Sequence, residues 1–189
     1  MPGDAALKRP TYADVLAQPE HVVAELIDGV LHTLPRPRLR HAAAASVLGE
    51  ELGPPFKRGR GGPGGWVILD EPELHLGAGP DILVPNLAGW RRERMPEMPD
   101  APYATLAPDW VCEVLSPSTE DFDRAVKLPI YVRERVSHAW LVNPDLRTFE
   151  VFRLDGETYR LIHTWRGDAS VRAEPFDAIA LELAALWAR

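Results

Sequence analysis

The six residues Trp110-Val111-Cys112-Glu113-Val114-Leu115 constrain this chain more than any other stretch. An apolar run of strand length reads as a β-strand buried on both faces, which requires a layer packed on each side of its sheet. Glu113 breaks the run. On a strand its same-face neighbours are Val111 and Leu115, so its carboxylate faces an apolar layer. Burial there costs several kcal/mol unless the acid is paired, protonated or bound to a metal ion.

The rest of the chain supplies the layers. Thr11, followed three residues later by Asp14, caps a short helix. Asp28-Gly29 between Val22–Ile27 and Val30–Leu34 predicts a hairpin with φ > 0 at its turn. His41–Leu52 is rich in Ala and Leu and reads as a helix stopped by Gly53 and Pro54. A glycine-rich loop, Gly59–Gly65, leads into strands at Trp66–Leu69, Glu73–Leu76 and Asp81–Val84. Leu87–Pro108 is polar and proline-rich and is expected to be irregular. Ser116–Thr119 caps a helix over Phe122–Glu134, in which Pro129 predicts a kink or a restart. Strands follow at Ala139–Val142, Phe149–Leu154 and Thr158–Trp165, with a closing helix at Ala180–Ala188. This order predicts an α/β fold: a mixed central sheet flanked by helices, with an N-terminal hairpin and a C-terminal antiparallel meander. At 189 residues it is expected to form a single domain, 1–189.

Two strands each carry one acid in an apolar setting, because Asp81 opens the run Ile82-Leu83-Val84 much as Glu113 interrupts its own. The Asp81 and Glu113 strands are expected to lie side by side. Lys127 lies on the helix after Glu113, four residues beyond Asp123, which is also the spacing of an ordinary surface pair. Two carboxylates about 4 Å apart repel by about 4 kcal/mol at an effective dielectric near 20, so such a pair recruits a cation or raises one pKa. Hard oxygen ligands favour Mg²⁺ or Mn²⁺. An ion there, with a lysine ammonium to stabilise the added charge on phosphorus, suits phosphodiester hydrolysis. Glu73, Glu25 and His41 are accessory candidates for the same cleft, Glu73 first because it precedes the Asp81 strand; Glu71 is a further one.

Other chemistries find no support. The glycine loop lacks a following Gly-Lys-Ser/Thr, and the six histidines form no His-Glu-x-x-His. Ser116 lacks the flanking glycines of a nucleophile elbow and reads as a cap. The single cysteine, Cys112, reads as a small buried apolar residue, and its isolation suits a reducing cytoplasm. No apolar run reaches membrane-span length, and Met1–Pro10 is not followed by a signal-like apolar stretch, so a cytoplasmic location is expected. The net charge of −7 argues against a broad nucleic-acid-coating surface, while leaving two local basic segments, Lys57/Arg58/Arg60 and Arg91/Arg92/Arg94.

Pro80-Asp81, the string Glu113-Val114-Leu115-Ser116-Pro117-Ser118-Thr119, then Asp123-Arg124, Lys127, Tyr131 and Trp140-Leu141-Val142 resemble the Uma2 family. That family, formerly a domain of unknown function, lies within the PD-(D/E)XK restriction-endonuclease-like superfamily. The likeness extends upstream through Glu25-Leu26-Ile27-Asp28-Gly29 and His41, and downstream to the last strands. It implies a restriction-endonuclease-like core with Asp81 and Glu113 as metal ligands and Lys127 as the catalytic lysine. The superfamily's lysine two residues after the second acid is here Leu115, so Lys127 resembles a migrated replacement. The expected function is a Mg²⁺- or Mn²⁺-dependent nuclease acting on DNA, set against a non-catalytic interaction or regulatory module on the same fold. A homodimer is also expected, because Phe149, Phe152, Tyr159, Ile162 and Trp165 make the C-terminal meander strongly apolar.

Overall fold

The structure, a computed structural model, describes residues 9–187. Helix α1 (Tyr12–Leu16) is opened by Thr11 in a capping box with Asp14, as its sequence predicts. It leads to the hairpin of β1 (Val22–Ile27) and β2 (Val30–Pro35), whose turn places Asp28 at φ 51° and Gly29 at φ 75°. These left-handed values are why the Asp-Gly pair stands there. Helix α2 (Leu39–Leu52) runs into a widened turn at Gly53–Lys57.

Then come β3 (Trp66–Asp70), β4 (Leu74–Leu76), β5 (Asp81–Leu83), β6 (Leu87–Arg91) and β7 (Trp110–Val114). After α3 (Glu120–Phe122) and α4 (Leu128–Arg133) the chain forms β8 (His138–Asn143), β9 (Thr148–Asp155) and β10 (Thr158–Arg166). A small ladder of β11 (Ser170–Val171) and β12 (Leu181–Glu182) ends in a 3₁₀ turn at Leu183–Trp187.

The strands form a six-stranded sheet, β10-β9-β8-β7-β6-β3, and a four-stranded sheet, β2-β1-β5-β4. Among the described strands of this sheet only β7 and β8 run parallel, joined by the α3–α4 crossover, so the central sheet is mixed. One face packs on α2 and the C-terminal turn, burying Trp66, Trp110, Trp140 and Phe149 around Leu48 and Phe176. The other face packs Val67, Trp90, Val111 and Ala139 against Ile27, Leu74 and Leu83 of the smaller sheet and Ile130 and Tyr131 of α4. Strand alternation directs Glu113 to this second face, with Val111.

Three expectations are corrected. The stretch 87–108 contains an inner strand, β6, paired to both β3 and β7. Its Ala88 and Gly89 weaken the apolar signal, yet Gly89 is small for a reason: an added Cβ would stand 3.1 Å from Trp110 and 3.2 Å from Trp66. The Asp81 and Glu113 strands are not neighbours, since β5 lies between β1 and β4 while β7 lies between β6 and β8. The Phe122–Glu134 helix is interrupted as Pro129 predicts: Asp123–Lys127 widens to a π turn, and a new helix starts at Leu128 with Pro129 in its first turn. The wider turn spares the clash of a proline ring with the carbonyl four residues back. The predicted closing helix is a two-residue strand and a 3₁₀ turn, with residues 188–189 outside the described ones.

The apolar residues of the meander are absorbed within the chain. Phe149 is fully buried, Phe152 and Tyr159 pack against the α4-side core, and Ile162 and Trp165 against the α2-side core. The ground given for a dimer therefore disappears. Among the described residues no helix is long and apolar enough to cross a membrane.

Candidate active site

Glu113 enters the layer between the two sheets and finds the Lys127 ammonium at 2.8 Å. The same Nζ lies 3.2 Å from Glu25 Oε1 and 3.6 Å from Asp123 Oδ1. All four side chains are almost wholly buried. Asp123 and Lys127 are therefore not the surface pair that their spacing allows. Tyr131, one helical turn beyond Lys127, donates its hydroxyl to Glu113 Oε1 at 2.6 Å. Glu25 Oε1 also accepts the Val84 N–H at 2.7 Å, while its Oε2 is buried without a hydrogen-bond partner among the described residues.

Three carboxylates facing one ammonium leave the cluster with surplus negative charge. Burial accordingly pushes the Glu113 carboxyl up to about 8, with Lys127 opposing it and Asp123 adding to it. Burial also raises Asp123. Lys127 moves upward because Glu113, Glu25 and Asp123 together outweigh the desolvation of its charge.

Beside this cluster opens a pocket of about 340 Å³. Glu113, Lys127 and Asp123 line it together with His41, Glu71 and Asn86. Arg36 and Arg38, both exposed, stand among its wall residues. His41, on the second residue pair of α2, is 8% exposed, and its Nδ1 has no hydrogen-bond partner among the described residues. Burial holds its pKa below the usual imidazole value of 6.5, a contact with the Val114 backbone opposing this and the Lys127 charge adding to it. The ring is therefore neutral at pH 7.

Of the residues expected at the site, the structure unites Glu113, Lys127, Glu25 and His41 and leaves out Asp81 and Glu73. Asp81 Oδ1 accepts the Asp28 N–H and Oδ2 accepts Arg133, both at 2.7 Å, so this acid fastens the hairpin turn and α4 to the smaller sheet. Glu73 Oε1 lies 2.8 Å from His75 Nε2. Sequence reasoning missed Asn86, whose Oδ1 accepts the Val114 N–H at 2.7 Å. The signal was present: Pro85-Asn86 precedes an apolar segment just as Pro80-Asp81 does. Within the two basic segments three residues brace the fold, Lys57 donating to the Ile68 carbonyl, Arg92 to that of Trp66, and Arg94 pairing with Asp109.

A Mg²⁺-type ion requires hard oxygens converging at about 2.1 Å. Asp81 and Glu113 stand in different sheets, and Asp81 is already committed to Arg133. Among the described residues no three His, Cys, Asp or Glu side chains are grouped to hold a metal ion. The acids nearest Glu113 are gathered around the lysine. The residues present thus do not fit the expected two-carboxylate centre.

No curated protein matches the chain. Its fold is similar to a solved structure described as "a putative nuclease belonging to DUF820" from Anabaena variabilis, with a TM-score of 0.75 and 23% identity, over 94% of this chain and 97% of that one. At that identity the likeness speaks for the fold, and it agrees with a restriction-endonuclease-like architecture. The sequence match runs over residues 10–185, from the first capped helix to the last 3₁₀ turn, and its family is described as "Putative restriction endonuclease". The chain therefore belongs to the Uma2 family, a nuclease-like family.

Proposed function

We propose that this chain acts on the phosphodiester backbone of DNA, as a hydrolase of nuclease type, through the pocket beside Glu113 and Lys127. One observation carries the reading: the Glu113–Lys127 pair, 2.8 Å apart, borders a pocket whose wall also holds Arg36 and Arg38. The exposed guanidiniums suit phosphate oxygens, which accept from two N–H groups at once. The buried ammonium supplies positive charge where a phosphorane gains negative charge, and it does so at fixed distance with no reorganisation. Glu113 orients water, and the unpartnered Nδ1 of neutral His41 is an acceptor for its proton. The overall charge of −7 confines DNA contact to such a local basic rim.

Proteins of restriction-endonuclease type generally use divalent metals. The Mg²⁺ or Mn²⁺ dependence expected of this chain belongs to the same proposal and is tested with it. A binding module without cleavage is favoured by one specific observation, the amide of Asn86 on the pocket wall.

Anisotropy titration of a labelled duplex and nicking of supercoiled plasmid, each with Mg²⁺ and with Mn²⁺, test the reading. Duplex binding should weaken with salt, and Arg36→Ala/Arg38→Ala should lower the log–log salt slope by about 2, one for each lost phosphate contact. Glu113→Gln should abolish nicking. Wild-type protein that neither binds nor nicks DNA would overturn the proposal.

A further inference from the structure

The register of β6 on β7 is antiparallel, with Leu87 opposite Cys112 and Ala88 opposite Val111. Continued by one residue, it sets Asn86 opposite Glu113. Directly opposed residues on an antiparallel pair share a face, with Cβ atoms about 4.5–5.5 Å apart. Asn86 is held there by its bond to the Val114 N–H, and both side chains line the same pocket. This is the spacing at which two carboxylates can share one divalent cation, yet one member of the pair is a neutral amide.

A second observation points to a ligand at this place. His41 lines the same pocket, 8% exposed, with its Nδ1 unpartnered among the described residues. A buried polar atom without a partner costs about 1–3 kcal/mol, which a bound group would remove. Asp81, the acid with the expected Pro-Asp sequence, stands in the other sheet and is occupied by Arg133.

We propose that the pocket is a divalent-cation site lacking one charged ligand, with Asn86 standing where the second carboxylate belongs, so that this chain binds such an ion weakly. The inference rests on the phosphodiester reading for its biological meaning, since it makes DNA binding strong relative to cleavage. It stands on cross-strand geometry for the ion itself. An amide oxygen is a neutral donor, and it cannot balance the ion's charge as a carboxylate does.

Asn86→Asp is nearly isosteric and keeps the oxygen that accepts from Val114, so the variant is expected to fold. Mn²⁺ binding is measured by calorimetry on the wild type, Asn86→Asp and Asn86→Asp/Glu113→Gln, with plasmid nicking in parallel. Outer-shell partners of a metal change affinity by about 10–100-fold, and a direct ligand is worth at least as much. Asn86→Asp should therefore bind Mn²⁺ at least about tenfold more tightly, and Glu113→Gln should remove the gain. Unchanged Mn²⁺ affinity in Asn86→Asp overturns the inference, as does a gain that survives Glu113→Gln. If Asn86→Asp gains Mn²⁺ affinity but no protein binds or nicks DNA, the cation site stands and the phosphodiester reading fails. If the wild type nicks DNA while Mn²⁺ affinity is indifferent to residue 86, the reverse holds.

Discussion

Lys127→Met removes the only ammonium from a cluster in which Glu25, Glu113 and Asp123 are 0%, 2% and 4% exposed. Deleting one partner of a buried ion pair costs about 3–5 kcal/mol, because the other charge is left uncompensated. Here three acids lose their counter-ion, and like charges about 4 Å apart repel by about 4 kcal/mol at an effective dielectric near 20. The chain can limit the loss by taking up a proton. Glu113 is the acid readiest to hold it, since burial already pushes its carboxyl up to about 8. The expected destabilisation is about 3–5 kcal/mol, toward the lower end where a proton is taken up, or about 6–20 °C in Tm for a domain of this size. Urea unfolding followed by tryptophan fluorescence measures it. Glu25→Gln in the same chain should restore part of the loss by removing one of the stranded charges, and the pair of variants keeps the test informative if Lys127→Met alone does not fold. A midpoint within about 1 kcal/mol of the wild type would show that Lys127 is solvated and that the cluster is not held by its charge.

Further outcomes follow from the same geometry. Asp81→Asn should lower stability by about 1–3 kcal/mol, through the lost ion pair to Arg133, and leave plasmid nicking unchanged; loss of nicking in a stable Asp81→Asn protein would return this acid to the site. Gly89→Ala should cost about 1–3 kcal/mol in denaturant, since its Cβ would press on Trp110 and Trp66, and a neutral result would mean that the two rings yield freely. His138 has its pKa lowered from 6.5 by burial, with Glu174 opposing, so the unfolded chain binds the extra proton first. Its contribution is present above pH 6.5 and is lost as pH falls through the interval below it, where His138→Gln should show a flatter stability profile than the wild type. Parallel profiles would show that the imidazole titrates alike in both states.

The local signals in the sequence were sufficient for much of the architecture. Thr11 with Asp14, Asp28 with Gly29, and the apolar run around Glu113 each act within a few residues, and each yields the element its chemistry demands. The anomaly of Glu113 also announced a partner, because a carboxylate between two apolar layers needs one, and Lys127 meets it. What tertiary structure alone decided is which acids stand together. Asp81 and Asn86 are five residues apart, both follow a proline and both precede apolar residues, yet one joins the smaller sheet and the other lies beside Glu113. Strand pairing between distant segments makes that choice. The backbone bonds of β6 to β3 and β7, and the two tryptophans that close over Gly89, fix a register that no local preference encodes. The break before Pro129 was legible locally, from the proline ring, whereas the burial of Lys127 among three acids from two other strands and its own turn is a tertiary outcome. Sequence named the chemistry that had to be satisfied, and long-range packing selected the residues that satisfy it.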